Sequence, residues 1–323
     1  MDFKSKINPI ILGKLGTELT VDEKALYQKL NPIGFILYAR NLYKSVFEDQ
    51  TLQEAAIKAF IQSLKDLFPD REIQIWIDEE GGALSNLLRV GLKYEEPLLS
   101  SLSFYEKFNE AKDEEKILQA IYDQFYAIGL KLKGLGFTGT FAPVADLFYE
   151  NKSSVIGKRS FGSNVDLVIK FCQASMKGLK NANIDSCIKH FPGHGLADVD
   201  SHHYLPVVKE SMDFLMQNDF RVFKELAPLA KYAMTAHVIY ECIDKENPIT
   251  VSKNGIDFVR KNLGFENVKI ITDAIDMKAV YLATKLDQNE KESVRKIKNL
   301  CLEAGCDAVL YCHPDLQILK EFF

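Results

Sequence analysis

The chain has 323 residues, 47% of them hydrophobic and 11% aromatic, with 40 basic and 45 acidic side chains and a formal net charge of −5. That composition supplies enough apolar surface for a sizeable core. The interspersed, nearly balanced charges exclude the broad basic face of a nucleic-acid binder.

The N-terminal stretch MDFKSKINPIILGKLG has only a short apolar run, Pro9 to Leu12, well below a secretion signal or a membrane span. The expectation is a cytoplasmic protein with no membrane partner. Six cysteines (Cys172, Cys187, Cys242, Cys301, Cys306, Cys312) are scattered without a CxxC pair, so neither a disulfide framework nor a structural zinc site is expected. They read as small buried thiols.

In chain order, short β-rich runs alternate with longer stretches whose apolar residues fall at helical spacing. PIILG (9–13) is followed by a helix over Val21 to Leu30, GFILYA (34–39) by one over Phe47 to Leu67, and IQIWID (73–78) by one over Tyr105 to Leu132. FTGTFAPVAD (137–146) precedes a helix over Val165 to Ala182, DSCIKHF (185–191) one over Met212 to Ala230, and YAMTAHV (232–238) one over Lys253 to Leu263. VKIITD (268–273) leads to a helix over Met277 to Ala304, and DAVLYC (307–312) leaves only Leu316 to Phe323 for a last helix. Eight strands alternating with helices predict a single (β/α)8 barrel over residues 1–323. No GxGxxG follows a strand, which argues against a dinucleotide-binding sheet. In such barrels the catalytic groups stand at the strand C-termini, which here are Arg40, Asp78, Asp146, Lys189 with His190, His237, Asp273 and His313.

KHFPGHGLADVDSHHYLP, residues 189–206, holds four of the six histidines. Pro192, Gly193 and Gly195 end regular structure directly after the fifth strand and predict a loop over the barrel mouth. Within it Asp200 and His202 stand two apart, and in extended backbone i and i+2 face the same side. The carboxylate then fixes one imidazole nitrogen and the other faces a substrate, suiting His202 to general acid/base work near neutral pH, or His202 is an ordinary solvated loop histidine. Asp273, in TDAIDM (272–277), is placed either to attack an anomeric carbon or to cap the following helix. Asp78, before the Gly pair of WIDEEGG (76–82), is either an acceptor for sugar hydroxyls or a turn residue. Lys189 and His190 need a polar ligand or a buried partner in an apolar wall, and Arg159 is a ligand contact or a surface ion pair. His190, His194, His202, His203, His237 and His313 could also cluster, yet no HExxH or HxH accompanies them, so no metal is expected.

Taken together, KHFPGHG, DSHHYLP, MTAHV and TDAIDM resemble the NagZ-type β-N-acetylglucosaminidases of glycoside hydrolase family 3, and GFILYARN (34–41) is similar to an early strand signature of that group. The resemblance implies one (β/α)8 barrel and retaining hydrolysis of terminal β-linked N-acetylglucosamine, with no cofactor. It implies Asp273 as nucleophile, His202 on a mobile loop as acid/base with Asp200 as its partner, and Asp78, Lys189, His190 and Arg159 as sugar contacts. A carbohydrate or muropeptide from cytosolic peptidoglycan recycling is the implied substrate, and a monomer is expected. Relatives commonly read DxEGGRVxR at strand three, whereas Ala83 and Asn86 stand here at the arginine positions. Either Arg89 substitutes, or the sugar site is altered. A sugar-binding barrel without turnover and a glycoside phosphorylase are the alternatives.

Overall fold

Eight parallel strands close into a barrel in strictly sequential order, each hydrogen-bonded to its neighbours in sequence and the last to the first. They are β1 (Asn8–Gly13), β2 (Pro32–Leu37), β3 (Gln74–Ile77), β4 (Gly139–Thr140), β5 (Asp185–Phe191), β6 (Tyr232–Thr235), β7 (Lys269–Ala274) and β8 (Ala308–Tyr311). β8 closes on β1 with Ile10 opposite Val309 and Leu12 opposite Tyr311. The computed structural model describes residues 7–42, 49–150, 152–153, 155–201, 203–313 and 315–322. The expected (β/α)8 architecture is therefore present, with helices packed outside a closed parallel sheet.

Side chains fill the barrel interior. Trp76 stacks on Phe141 with ring centroids 4.8 Å apart and meets Tyr232 edge-on at 5.0 Å. Gly139 is required there, because a Cβ at that position would stand 2.4 Å from the Trp76 ring. Ile11, Ile36, Met234, Ile271 and Leu310 complete this inner cluster. A second, larger apolar layer lies between strands and helices, as expected for strands buried on both faces.

The helices differ from the sequence expectation where a single residue turns the chain. The helix expected over 105–132 is two helices, Ser101–Ala111 and Glu114–Leu135, parted by Lys112 in the left-handed region (φ 54°) and by Asp113, which caps the second through Lys116 N. An N-cap acceptor satisfies a backbone donor that a continuous helix would leave to the preceding turn. The expected 277–304 helix likewise divides into Lys278–Thr284 and Lys291–Ala304, with Lys285 left-handed, and that over 212–230 breaks at Asn218. The helix expected from Phe47 begins at Gln50, capped by Asp49; Phe47 itself lies outside the described residues. At the C-terminus the short helix Leu316–Leu319 passes into a 3-10 turn, and Phe323 lies outside the described residues.

The fourth strand is also shorter than 137–146. Pro143 has no N–H to give a ladder, so beyond Thr140 the chain runs irregularly beside β5. It stays joined through Cys187 N to Ala142 O (3.0 Å), Lys189 N to Pro143 O (3.2 Å) and Ala145 N to Lys189 O (2.7 Å). This segment delivers Asp146 beneath the end of β5. All six cysteines are unbridged; four are buried, but Cys242 and Cys312 are half-buried, which corrects the reading of all six as core thiols.

Candidate active site

A cavity of about 360 Å³ opens at the strand C-termini, lined by Asp78, Glu80, Arg159, Lys189, His190 and Asp273 among others. That volume lies at the small end of the range of ligand sites, roughly 300–1,000 Å³. A larger cleft, about 680 Å³, lies on the outer wall between residues 93–99 and the helix Glu114–Leu135. It is away from the strand ends and collects no paired buried charges, so the smaller cavity is the one with chemistry.

Lys189 leaves the C-terminal half of β5 and is almost wholly buried, with Nζ 2.7 Å from Asp78 Oδ1 and 2.6 Å from Glu80 Oε1. Arg159 grips both oxygens of Glu80, Nε on Oε2 and Nη2 on Oε1, each at 2.7 Å, so that Oε1 is shared with Lys189. Burial alone would raise the Glu80 carboxyl, but Arg159 and Lys189 outweigh it and hold the group well below the usual range. Burial would likewise lower Lys189, and its carboxylate neighbours reverse the sign. Glu80, Lys189 and Arg159 are thus held in their charged forms, with Asp78 packed against Lys189.

His190 Nδ1 donates to Asp146 Oδ2 at 2.7 Å, and the backbone N–H groups of His190 and His194 donate to the same carboxylate. That fixes the ring proton on Nδ1 and turns Nε2 toward Arg159 Nη2, 3.4 Å away. His194 is buried with its ring between Ser153 Oγ (3.4 Å) and Ser201 Oγ (3.3 Å). Burial, then the neighbouring His190, lowers it to about 4.

Asp273 stands near the end of β7, half-buried, its Oδ1 accepting from Ala274 N at 2.7 Å. Burial pushes its carboxyl up, but His190, His237, the Ala274 N–H and Lys189 together bring it below the ordinary value. His237 packs behind it, with Nε2 donating to Ala274 O (3.0 Å) and Nδ1 bonded to Thr250 Oγ1 (2.8 Å). The helix-cap role is excluded, since the next helix starts at Lys278 behind Met277 and has no side-chain cap.

Five of the seven expected site residues, Asp78, Arg159, Lys189, His190 and Asp273, therefore share one cavity. Arg159 is not a surface ion pair, because its partner Glu80 is only 3% exposed. His202 lies outside the described residues. Asp200 is half-buried, and its carbonyl accepts from His203 N (3.0 Å) and Tyr204 N (2.9 Å). Asp200 thus opens a turn that closes on His203 and Tyr204. Ser201, between those two candidates, lines the cavity. Arg89 is exposed and does not line it, so it does not replace the arginines absent at 83 and 86. Asn86 instead ties Ala39 N (2.8 Å) to Asp78 O (2.7 Å). Among the described residues no group of three His, Cys, Asp or Glu side chains is arranged to hold a metal ion, and His203 and His313 are exposed.

Sequence reasoning missed Glu80, Asp146 as an anchor of His190, and His194 beside Ser201. Glu80 had a signal, an acidic residue two after Asp78 and directly before the Gly pair. Asp146 was visible only as a strand-end residue.

A parallel barrel with ionised carboxylates, a lysine and an arginine gathered at its strand C-termini defines an α/β-barrel enzyme acting on a small polar substrate. The chain belongs to glycosyl hydrolase family 3: residues 34–322 match the family described as the glycosyl hydrolase family 3 N terminal domain. It is accordingly a glycoside hydrolase. A beta-hexosaminidase of Bordetella pertussis is 30% identical over 312 residues, covering 95% of this chain and 81% of that protein. One of Glaesserella parasuis is 30% identical over 319 residues, covering 97% and 84%. Among solved structures, NagZ from Neisseria gonorrhoeae in complex with N-trifluoroacetyl-D-glucosamine superposes with a TM-score of 0.80 at 27% identity, covering 98% of this chain and 84% of that one. A family 3 β-N-acetylglucosaminidase from Paenibacillus gives 0.82 at 26% identity, and this chain spans 57% of its length. Among the described residues no helix is long and apolar enough to cross a membrane.

Proposed function

We propose that this chain is a retaining β-N-acetylglucosaminidase that releases terminal β-linked N-acetylglucosamine, with Asp273 as nucleophile. The observation that carries the reading is Asp273 itself: a carboxyl held in its charged form, excused from helix capping, in one cavity with the Lys189, Asp78, Glu80 and Arg159 cluster. The hexosaminidase relatives and the N-acylglucosamine in the gonococcal structure support the sugar class.

In this mechanism an Asp273 oxygen attacks the anomeric carbon while the glycosidic oxygen takes a proton from His202, leaving a glycosyl ester on Asp273. His202, now the base, draws a proton from water, which attacks the same carbon and frees Asp273 with net retention. Asp200 holds the His202 tautomer. Asp78, Lys189, His190 and Arg159 take the sugar hydroxyls, their charges already neutralised pairwise so that binding reorganises little. The chain acts as one catalytic barrel, and of the 189–206 segment the part beyond its anchored root supplies the mobile catalytic loop. Cytosolic peptidoglycan fragments are the proposed source of substrate.

The test is an aryl β-N-acetylglucosaminide followed by NMR, with intact-mass analysis of the quenched enzyme. Initial release of the β-anomer and a glycosyl adduct mapped to Asp273 are expected. First release of the α-anomer, or an adduct elsewhere, refutes the mechanism; faster turnover of the matching glucoside refutes the sugar assignment.

A further inference from the structure

We propose that His194 and Ser201 form a latch that positions the 193–206 segment over the cavity, and with it the acid/base side chain that follows Ser201 in sequence. The inference rests on the proposed function for the role of His202, but the latch itself is drawn from contacts outside that residue.

Both partners are buried to 2% exposure although they belong to a loop at the barrel mouth. Ser201 is held from two sides, by its Oγ against His194 Nε2 at 3.3 Å and by its carbonyl, which accepts from Ala279 N at 3.3 Å. Ala279 lies in the first turn of Lys278–Thr284, the helix that follows Asp273. The two contacts thus fasten Ser201 both to the loop's own root, three residues past β5, and to the helix that follows the proposed nucleophile.

His194 is itself immobilised. Its N–H donates to Asp146 Oδ1 at 2.6 Å, Ser153 Oγ meets its Nδ1 at 3.4 Å, and its ring lies edge-to-face with His190, centroids 5.8 Å apart. An uncharged imidazole placed between two hydroxyls gives one donor and one acceptor, so it bonds both serines in either tautomer. Next to it, Gly193 O accepts from Tyr240 OH, and Gly195 presses on Leu147 O, where a Cβ would fall 2.1 Å away. The root of the loop is fixed, and Ser201 is the point at which its far end is tied down.

The experiment compares wild type with Ser201→Ala, His194→Phe and the double variant, on aryl β-N-acetylglucosaminides of graded leaving-group ability. A misplaced acid harms poor leaving groups most, because protonation is worth about 10²- to 10⁴-fold where it is needed. Each single variant should lose about tenfold or more in kcat/KM on the poorest leaving group, with the loss shrinking steadily toward dinitrophenolate. The double variant should lose no more than the worse single one, as for one shared interaction. Hydrogen exchange should rise about fivefold in peptides covering 196–206 and not in the barrel strands. A loss of equal size across all leaving groups, or unchanged exchange over 196–206, overturns the latch. If wild type releases no aryl group at all, the functional reading fails and exchange alone decides the latch.

Discussion

Arg159 closes on Glu80 in a fork, its Nε and Nη2 each 2.7 Å from a different carboxylate oxygen. Because Lys189 Nζ reaches Glu80 Oε1 as well, at 2.6 Å, one buried carboxylate separates two cations. Glu80 is therefore the keystone of the buried charge cluster, although it was not among the expected site residues.

Glu80→Gln should leave Lys189 and Arg159 facing each other across a neutral amide. Breaking a buried pair by removing one partner costs about 3–5 kcal/mol, so urea unfolding should register a loss of that order, with KM for any substrate rising. A loss below about 1 kcal/mol would show that the two cations find other neutralisation.

Asp273→Asn removes a charge that the cavity is built to favour but no helix cap. Turnover should fall by a factor on the order of 10⁶, as for a lost nucleophile, while the thermal unfolding midpoint stays close to that of wild type. A large drop in the midpoint would assign Asp273 a structural role.

Two buried carboxyls outside the cavity work against alkaline stability. Burial raises Asp219 to about 7, against a bond from Tyr149 OH and with Asp146 and Glu210 adding to the rise. Burial also raises Glu79 to about 7, opposed by bonds from Ser85, Leu87 N, Tyr94 and Asn86 N. Between the unfolded value near 4 and about 7 the folded chain binds more protons, so their contribution is full below about pH 4 and is lost as pH rises to about 7. His194, lowered to about 4, acts oppositely, its contribution present above about 6.5 and lost as pH falls through 4. The double variant Asp219→Asn with Glu79→Gln should therefore lose less stability between pH 5 and pH 7.5 than wild type, by on the order of 5 kcal/mol. Parallel curves for the two proteins would contradict these shifts.

Gly195→Ala would set a methyl 2.1 Å from Leu147 O. Relief requires the loop root to move, at about 1–3 kcal/mol. The expected signature is a fall in kcat out of proportion to the modest fall in unfolding free energy, measured on the same preparation.

The barrel was legible because each of its strands carries an apolar run bounded by turn residues, and strand ends such as Asp78, Lys189 and Asp273 inherit their position from that periodicity. The helix breaks were not, because Lys112 and Lys285 adopt left-handed backbone without glycine, the usual marker. Likewise the Asp273 ambiguity turned on where the next helix begins, which local sequence leaves open by several residues. Glu80, Asp146 and His194 escaped for a different reason: each matters through a partner far along the chain, Arg159 for Glu80 and His190 for Asp146, and pairing across a fold leaves no local pattern. The departure at Ala83 and Asn86 was visible, but its resolution needed coordinates, since Asn86 spends its amide on Ala39 and Asp78 rather than on a ligand.

The stacked Trp76 and Phe141 rings, with Tyr232 against them and Gly139 making room, plug the barrel below Met234 and Leu310. Among the described residues the cavity is thus closed toward the barrel base. On the proposed function a polymer cannot thread through it, so only the last ring of a chain reaches the bottom, and the freed sugar backs out the way it came before another end descends.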